Sequence, residues 1–479
     1  MKKYIQQTLL LLAILMPFTA SAYDFKYGGI YYNIYGNEVA VTYKEFPDYN
    51  GHGVYAGDIT IPDTVFYFWN EYYPVVAIES AAFYGCNELT SITLPNTIRF
   101  IGDFAFYNCS GLTSITLPNS IRTIVGHAFY NCTALSSITF PNTVISIGEK
   151  AFHSTAWYNN QPDGLVYTGS VIYDYKGTMP AGTSITLAEG TLGVGDDAFA
   201  GCSGLIDITL PNSLVAIGNV AFDDCSGLTS LEIPNSVTTI GSHAFQNCSS
   251  MTSVDIGKSV TTVGECAFYG CESLSRVNIT DLASWCNIEF AFDESDHFTS
   301  NPLFYAHHLY LNGEEVKDLV IPDCITEISK AAFYKCHGLT SVTIPNTITR
   351  INYEAFNYCD SLLTVTCLDT VPPVMASSEC FSTTAYNRAK LLVPRQSIET
   401  YKATNYWNKF ANIEGFGNAG LGDVNGDGAM KIDDVTTLID ALLTGNMDAV
   451  FIEAADLNAN GRLDIDDVTT LIDMLLNGE

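Results

Sequence analysis

Basic residues are scarce in this sequence: 21 Lys and Arg stand against 52 Asp and Glu in 479 residues, a formal charge of −31. No Lys/Arg run is long enough to neutralise a row of phosphates, which argues against nucleic acid and anionic membrane as partners. After Leu9–Phe18 no apolar stretch approaches the roughly 20 residues that a bilayer helix needs, so the mature chain is expected to have no transmembrane segment. None of the 14 cysteines is spaced Cys-x-x-Cys, which argues against zinc. A Gly-x-Ser-x-Gly elbow and a phosphate loop are also missing, and the eight histidines are scattered. With no catalytic constellation in sight, the expectation is a protein that is not an enzyme.

What is present starts at the N-terminus. Two lysines, a short apolar run and Ala20-Ser21-Ala22 read as a signal peptide over 1–22, with Sec export and a mature start near Tyr23. No cysteine follows the apolar run, which argues against an N-terminal lipid anchor. The expected location is the cell surface or the extracellular space.

Aligning the phenylalanines exposes a period of 23: Phe83, Phe106, Phe129 and Phe152, then Phe199, Phe222, Phe245 and Phe268, then Phe333 and Phe356. The repeating unit is roughly I-G-x-x-A-F-x-x-C-x-x-L-T-S-I-T-L-P-N-S-V-T-x. Such a period falls within the leucine-rich-repeat range. In each unit L-x-x-I-x-L puts three residues, such as Leu89, Ile92 and Leu94, on the inner side of a short strand. The following Pro-Asn removes a backbone donor and starts a turn, so every strand ends at the same place. A single coil cannot bury its Phe, Leu and Ile, whereas stacked coils bury them against one another. The expected fold is therefore an α/β leucine-rich-repeat solenoid of about 23-residue coils, with short strands and single-turn helices, over 80–362. Irregular insertions are expected at 157–197 and 282–330, the second with a hairpin at Asn312-Gly313. β-rich segments at 23–79 and 363–416 would cap the ends, with Tyr401, Trp407 and Phe410 covering the last coil. After Cys359 the periodicity fades.

Nine cysteines, from Cys86 to Cys359, recur three residues after the repeat phenylalanine. Equivalent positions of parallel coils point the same way, so these are expected to form a buried thiol ladder rather than disulfides. Cys266, Cys286, Cys324, Cys367 and Cys380 break that register, and any bridge belongs among them. Tyr84, Tyr107 and Tyr130 follow the first three phenylalanines and should line up as a possible ligand stripe for a sugar or a partner loop.

Beyond a linker at 417–421, the nine-residue word IDDVTTLID occurs at Ile432–Asp440 and again at Ile465–Asp473. Each copy follows a twelve-residue loop with Asp, Asn and Asp/Asn at positions 1, 3 and 5 and glycine at position 6. Hard Ca²⁺ takes six to eight oxygens, and this spacing supplies them from side chains and the position-7 carbonyl. Asp423, Asn425, Asp427, the Ala429 carbonyl and Asp434 would hold one ion. Asp456, Asn458, Asn460, the Arg462 carbonyl, Asp464 and Asp467 would hold a second. Lys431 stands where the second loop has Asp464, so the two affinities should differ. Each word supplies a helix, with Val435, Leu438, Ile439 and Leu442 on one buried face and Val468, Leu471, Ile472 and Leu475 on its copy.

These residues carry two resemblances. The phased coils resemble the BspA-type leucine-rich repeats of bacterial surface proteins, over about Tyr23 to Phe416, which implies adhesion to a host protein or another cell and no catalytic residues. The paired loop-helix units, with Asp rather than Glu at position 12, resemble the type I dockerin family, which implies a small all-α calcium-binding domain at 422–479. In dockerins, loop positions 10 and 11 contact a cohesin; the matching residues are Ile432-Asp433 and Ile465-Asp466, where cellulosomal members commonly carry a small hydroxyl pair. The expectation is an exported, non-catalytic binding or adhesion protein whose solenoid takes a protein or glycan ligand and whose calcium-loaded tail docks to a partner. The alternative is a non-catalytic subunit of a cohesin–dockerin polysaccharide-degrading assembly.

Overall fold

The computed structural model describes residues 23–44, 53–67, 71–292, 300–416, 421–425, 430–447, 450–458 and 461–477. The segment read as a signal peptide lies outside them. The chain divides into two compact units, Met1–Leu274 with Ala291–Tyr305, and Ser275–Phe290 with Ala306–Glu479.

In the first unit, strands Phe25–Tyr27, Ile30–Tyr35 and Glu38–Thr42 form an antiparallel meander. The last of them pairs in parallel with Glu71–Ile78, which continues in parallel to Phe100–Ile101, Thr123–Ile124 and Ser146–Ile147. The meander thus occupies the edge that a first coil would otherwise leave unpaired. Successive coils keep a 23-residue register, Ala216 opposite Thr239 and Thr239 opposite Thr262. Inside, Phe83, Phe106, Phe129 and Phe152 stack at 4.9, 4.8 and 5.3 Å. The backbone fixes this spacing, because Phe83 N–H donates to the Ala105 carbonyl at 2.7 Å and Phe106 N–H to Ala128 at 2.6 Å. Leu89, Ile92 and Leu94 are buried, as the alternating pattern requires. The first insertion folds as an antiparallel hairpin, Gly164–Thr168 with Val171–Lys176, whose second strand pairs with Gly193–Val194 and so rejoins the coil ladder.

In the second unit, Leu309–Leu311 turns back on Glu314–Glu315 through Asn312 and Gly313, both with positive φ (52° and 90°), the hairpin that Asn-Gly specifies. Strands Asp318–Val320, Ser341–Ile344, Thr364–Cys367, Lys390–Pro394 and Asn412–Phe416 run parallel in one sheet. The phenylalanine column does not stop at Phe356. Phe381 stacks on it at 5.1 Å, so one further coil follows where the sequence periodicity fades. Trp407 and Phe410 then close over Phe381, with Trp407 Nε1 donating to the Pro373 carbonyl at 2.8 Å and Tyr401 Oη to Asp369 at 2.9 Å. None of the 14 cysteines is in a disulfide, the five off-register ones included, and only Cys324 is exposed.

Candidate metal centre and docking surface

The tail, part of the second unit, is built on two 13-residue helices, Ile432–Thr444 and Ile465–Asn477, with a short turn of helix at Ile452–Ala455. Their shared apolar core is Val424, Val435, Leu438, Ala455, Val468 and Leu471, with Ile439, Leu442, Ile472 and Leu475 packed against it. The duplicated word therefore produces the duplicated face that the spacing predicts. The first helix ends at Gly445, whose left-handed backbone (φ 72°) returns its N–H to the Ala441 carbonyl at 2.8 Å.

Asp434, the last residue of loop one and N3 of its helix, holds both ends of the loop. Its Oδ1 accepts the Asn425 N–H at 2.9 Å and its Oδ2 the Lys431 N–H at 2.7 Å. Asp467 repeats the arrangement, its Oδ1 accepting the Asn458 N–H at 3.4 Å and also the Leu457 N–H at 3.0 Å, and its Oδ2 the Asp464 N–H at 3.0 Å. At the start of loop two, Asp456 Oδ2 accepts the Gly461 N–H at 2.8 Å, which bends positions 1 to 6 into the turn that glycine permits. Sequence reasoning counted Asp434 and Asp467 as ligands and missed this second role. A carboxylate two residues after the first helical position is its sequence signal.

The donor set fits a hard divalent cation. Asp423, Asp434 and Asp467 are buried, and buried carboxylates need cationic or multiple hydrogen-bonding partners. Asp423, Asn425, Asp456, Asn458, Arg462 and Asp464 are described alongside them, whereas Asp427, Ala429 and Asn460 lie outside the described residues. Among the described residues no three His, Cys, Asp or Glu side chains converge as a metal-ligating group.

At loop positions 10 and 11, Ile432 is 71% exposed and Ile465 66%, with Asp433 and Asp466 exposed beside them. Eleven residues further along each helix, Leu443 is 80% exposed and Leu476 77%. Eleven residues at about 100° each come back to within about 20° of the starting direction, so each helix carries an apolar stripe on its outer side. Leu443 and Leu476 are the part of this surface that sequence reasoning missed; the 11-residue offset was the available signal.

In the first unit Tyr84, Tyr107 and Tyr130 do line up, stacked at 4.9 and 5.3 Å and nearly parallel. Phe104 and His127 stack beside them at 4.8 Å. Both faces of Tyr107 are covered by its neighbours, so this stripe offers ring edges and phenol oxygens rather than faces for a sugar.

The BspA type leucine-rich repeat profile matches residues 60–161, 173–295 and 307–412 in six copies. The chain belongs to the BspA-type leucine-rich-repeat family. Residues 421–476 match the dockerin type I domain. No curated protein matches this BspA-type chain. Among solved structures, a leucine-rich repeat protein from Bacteroides ovatus is 24% identical, with 82% of this chain and 100% of that one covered and a TM-score of 0.29. The leucine-rich repeat protein of T. pallidum is 25% identical over 52% of this chain and 90% of its own, with a TM-score of 0.25. A leucine-rich cell-surface protein from Faecalibacterium prausnitzii is 21% identical over 73% and 95%, with a TM-score of 0.24. BspA-type repeats and dockerin modules are typically non-catalytic and typical of extracellular or surface proteins. No helix among the described residues is long and apolar enough to cross a membrane.

Proposed function

We propose that this BspA-type chain is an exported, non-catalytic binding protein: its repeat coils take a protein or glycan ligand, and its tail, loaded with two Ca²⁺ ions, docks to a cohesin-type partner. The observation that carries this reading is the pair of outer helix stripes, Ile432 to Leu443 and Ile465 to Leu476, exposed to nearly the same degree in both copies. Large aliphatic residues left in water on both halves of so small a module suit a partner surface. The loops that begin each stripe are those with the calcium-type spacing, so metal, helix start and contact residue are one local unit. Asp423, Asn425, Asp427, the Ala429 carbonyl and Asp434 would ligate the first ion, and Asp456, Asn458, Asn460, the Arg462 carbonyl, Asp464 and Asp467 the second. The dockerin type I match favours a second, narrower reading, a non-catalytic subunit of a polysaccharide-degrading assembly.

The test is binding of the full chain to an immobilised cohesin module. Retention in calcium, release by chelator, and loss in an Ile432→Asp/Ile465→Asp double variant that still binds calcium support docking. No retention in calcium refutes the cohesin partner. A glycan array and a panel of surface proteins, probed with the same chain, separate the assembly subunit from the adhesin.

A further inference from the structure

Phe451 is the one aromatic side chain of the tail, and the tail's own core does not use it. That core is Val424, Val435, Leu438, Ala455, Val468 and Leu471, and the partly buried residues packed on it do not include Phe451. Nor does the duplication call for a ring there, since the position 33 residues earlier is Asn418. Residues shared by both copies serve the module, so this ring has another duty.

The structure shows what the ring faces. The Arg395 guanidinium carbon lies 4.1 Å from the Phe451 ring centroid. Arg395 opens the short 3-10 turn Arg395–Ser397 of the C-terminal cap, which packs on the closing strand Asn412–Phe416. Its Nε is buried and has no hydrogen-bond partner among the described residues. A guanidinium edge withdrawn from water without an acceptor is costly unless the π face of a ring compensates, and 4.1 Å is within cation–π range. Phe451 is in turn tied to the first candidate calcium loop: its N–H donates to the Val424 carbonyl at 2.9 Å, and Val424 sits between Asp423 and Asn425.

We infer that the calcium-loaded tail seats on the C-terminal cap of its own chain through Phe451 against Arg395, and that the Phe451–Val424 backbone bond couples this seat to calcium binding in loop one. The inference deepens the docking reading and rests on its calcium loops. It gives the module two working sides: the Phe451 side is held by the cap, and the stripes at Ile432/Leu443 and Ile465/Leu476 remain for an external partner. Calcium that orders loop one also fixes the ring, so a residue of the cap contributes to the calcium-bound state of a module it does not belong to.

The test is calorimetric titration of Ca²⁺ into the full chain and its variants. The Arg395 guanidinium carries no oxygen and cannot ligate calcium, so the effect of Arg395→Ala on affinity reports the seat. Weakening of roughly two- to tenfold is expected. Phe451→Leu, which keeps an apolar side chain and removes the ring face, is expected to weaken binding similarly, and the double variant no further. Calcium affinity unchanged by Arg395→Ala overturns the inference while leaving the calcium reading intact. Hydrogen exchange at 396–398 provides a readout independent of the metal: Phe451→Leu should speed it, and unchanged protection also overturns the seat. A wild-type chain that binds no calcium refutes the calcium reading and the coupling together, and exchange then decides the contact alone.

Discussion

At the scale of single residues, the repeated cysteine is explained by a bond that its spacing does not reveal. Cys109 Sγ donates to the Phe83 carbonyl of the preceding coil at 3.0 Å, Cys132 to Phe106 at 3.0 Å, Cys225 to Phe199 at 3.2 Å and Cys359 to Phe333 at 3.0 Å. A thiol is small and apolar enough for the core yet supplies a weak second donor to a carbonyl that already accepts a backbone N–H of its own coil, as Phe83 does from Cys86 at 3.2 Å. Burial pushes the Cys109, Cys225 and Cys359 thiols up, and raises Cys202 to about 11 and Cys271 and Cys336 to about 12. In an unfolded chain the thiol ionises near its ordinary value of 9.0. A buried thiol therefore contributes stability that is fully present below about pH 9 and is lost as pH rises toward its folded value. Urea midpoints should fall from pH 8 to 10.5, and Cys271→Ala should flatten that fall. Equal pH slopes in the two proteins would sink the explanation. A thiol reagent should label Cys324 in the native chain and leave the buried thirteen of fourteen until denaturant is added.

At the scale of the coil, close approach of backbones sets the geometry. A Cβ added to Gly241 would lie 2.5 Å from the Asn219 nitrogen and 2.5 Å from the Gly218 carbonyl carbon and oxygen, all main-chain atoms of the coil below. Backbone cannot step aside as a side-chain tip can, so Gly241→Ala should cost about 1–3 kcal/mol. Thr238→Ala, which removes only the partly buried hydroxyl bond to Val215, should cost about 0.5–1.5 kcal/mol. Equal denaturant midpoints for the two variants would refute the close-approach account. The Ile-Gly pair was legible in the consensus, but its reason was not, because sequence shows period and not distance. The same limit hid the last coil. Phe381 follows Phe356 by 25 residues rather than 23, with Pro372-Pro373 between them, so a fixed-period search ends one coil early although the rings still stack. The hairpin at Asn312-Gly313 was legible because its turn chemistry is local. The tyrosine alignment was legible too, whereas the loss of ring faces to stacking was not.

At the scale of the molecule, two kinds of stability share one chain. The repeat coils bury stacked runs of phenylalanine within each unit, whereas the tail, about 60 residues, has a core of a few aliphatic side chains around buried carboxylates. A core that small contributes little, and a cation among the crowded carboxylates would add stability that the apolar contacts do not supply. The charge pattern made this division legible before any coordinates: Gly420–Glu479 holds 13 Asp and Glu against Lys431 and Arg462. Metal binding and folding of the tail should then be one equilibrium, while the coils are indifferent to calcium. Scanning calorimetry of the full chain should show separate transitions. Chelator should lower or abolish the tail's and leave the coils' within error, with a matching loss of helical circular dichroism. Excess calcium should raise the tail's transition with the logarithm of its concentration, by about 1.4 kcal/mol per tenfold for each bound ion. If chelator moved both transitions equally, calcium would be acting on the charge of the whole chain and not on the loops. High monovalent salt separates these cases, because it screens a net charge of −31 but cannot supply six to eight oxygens' worth of coordination to two loops.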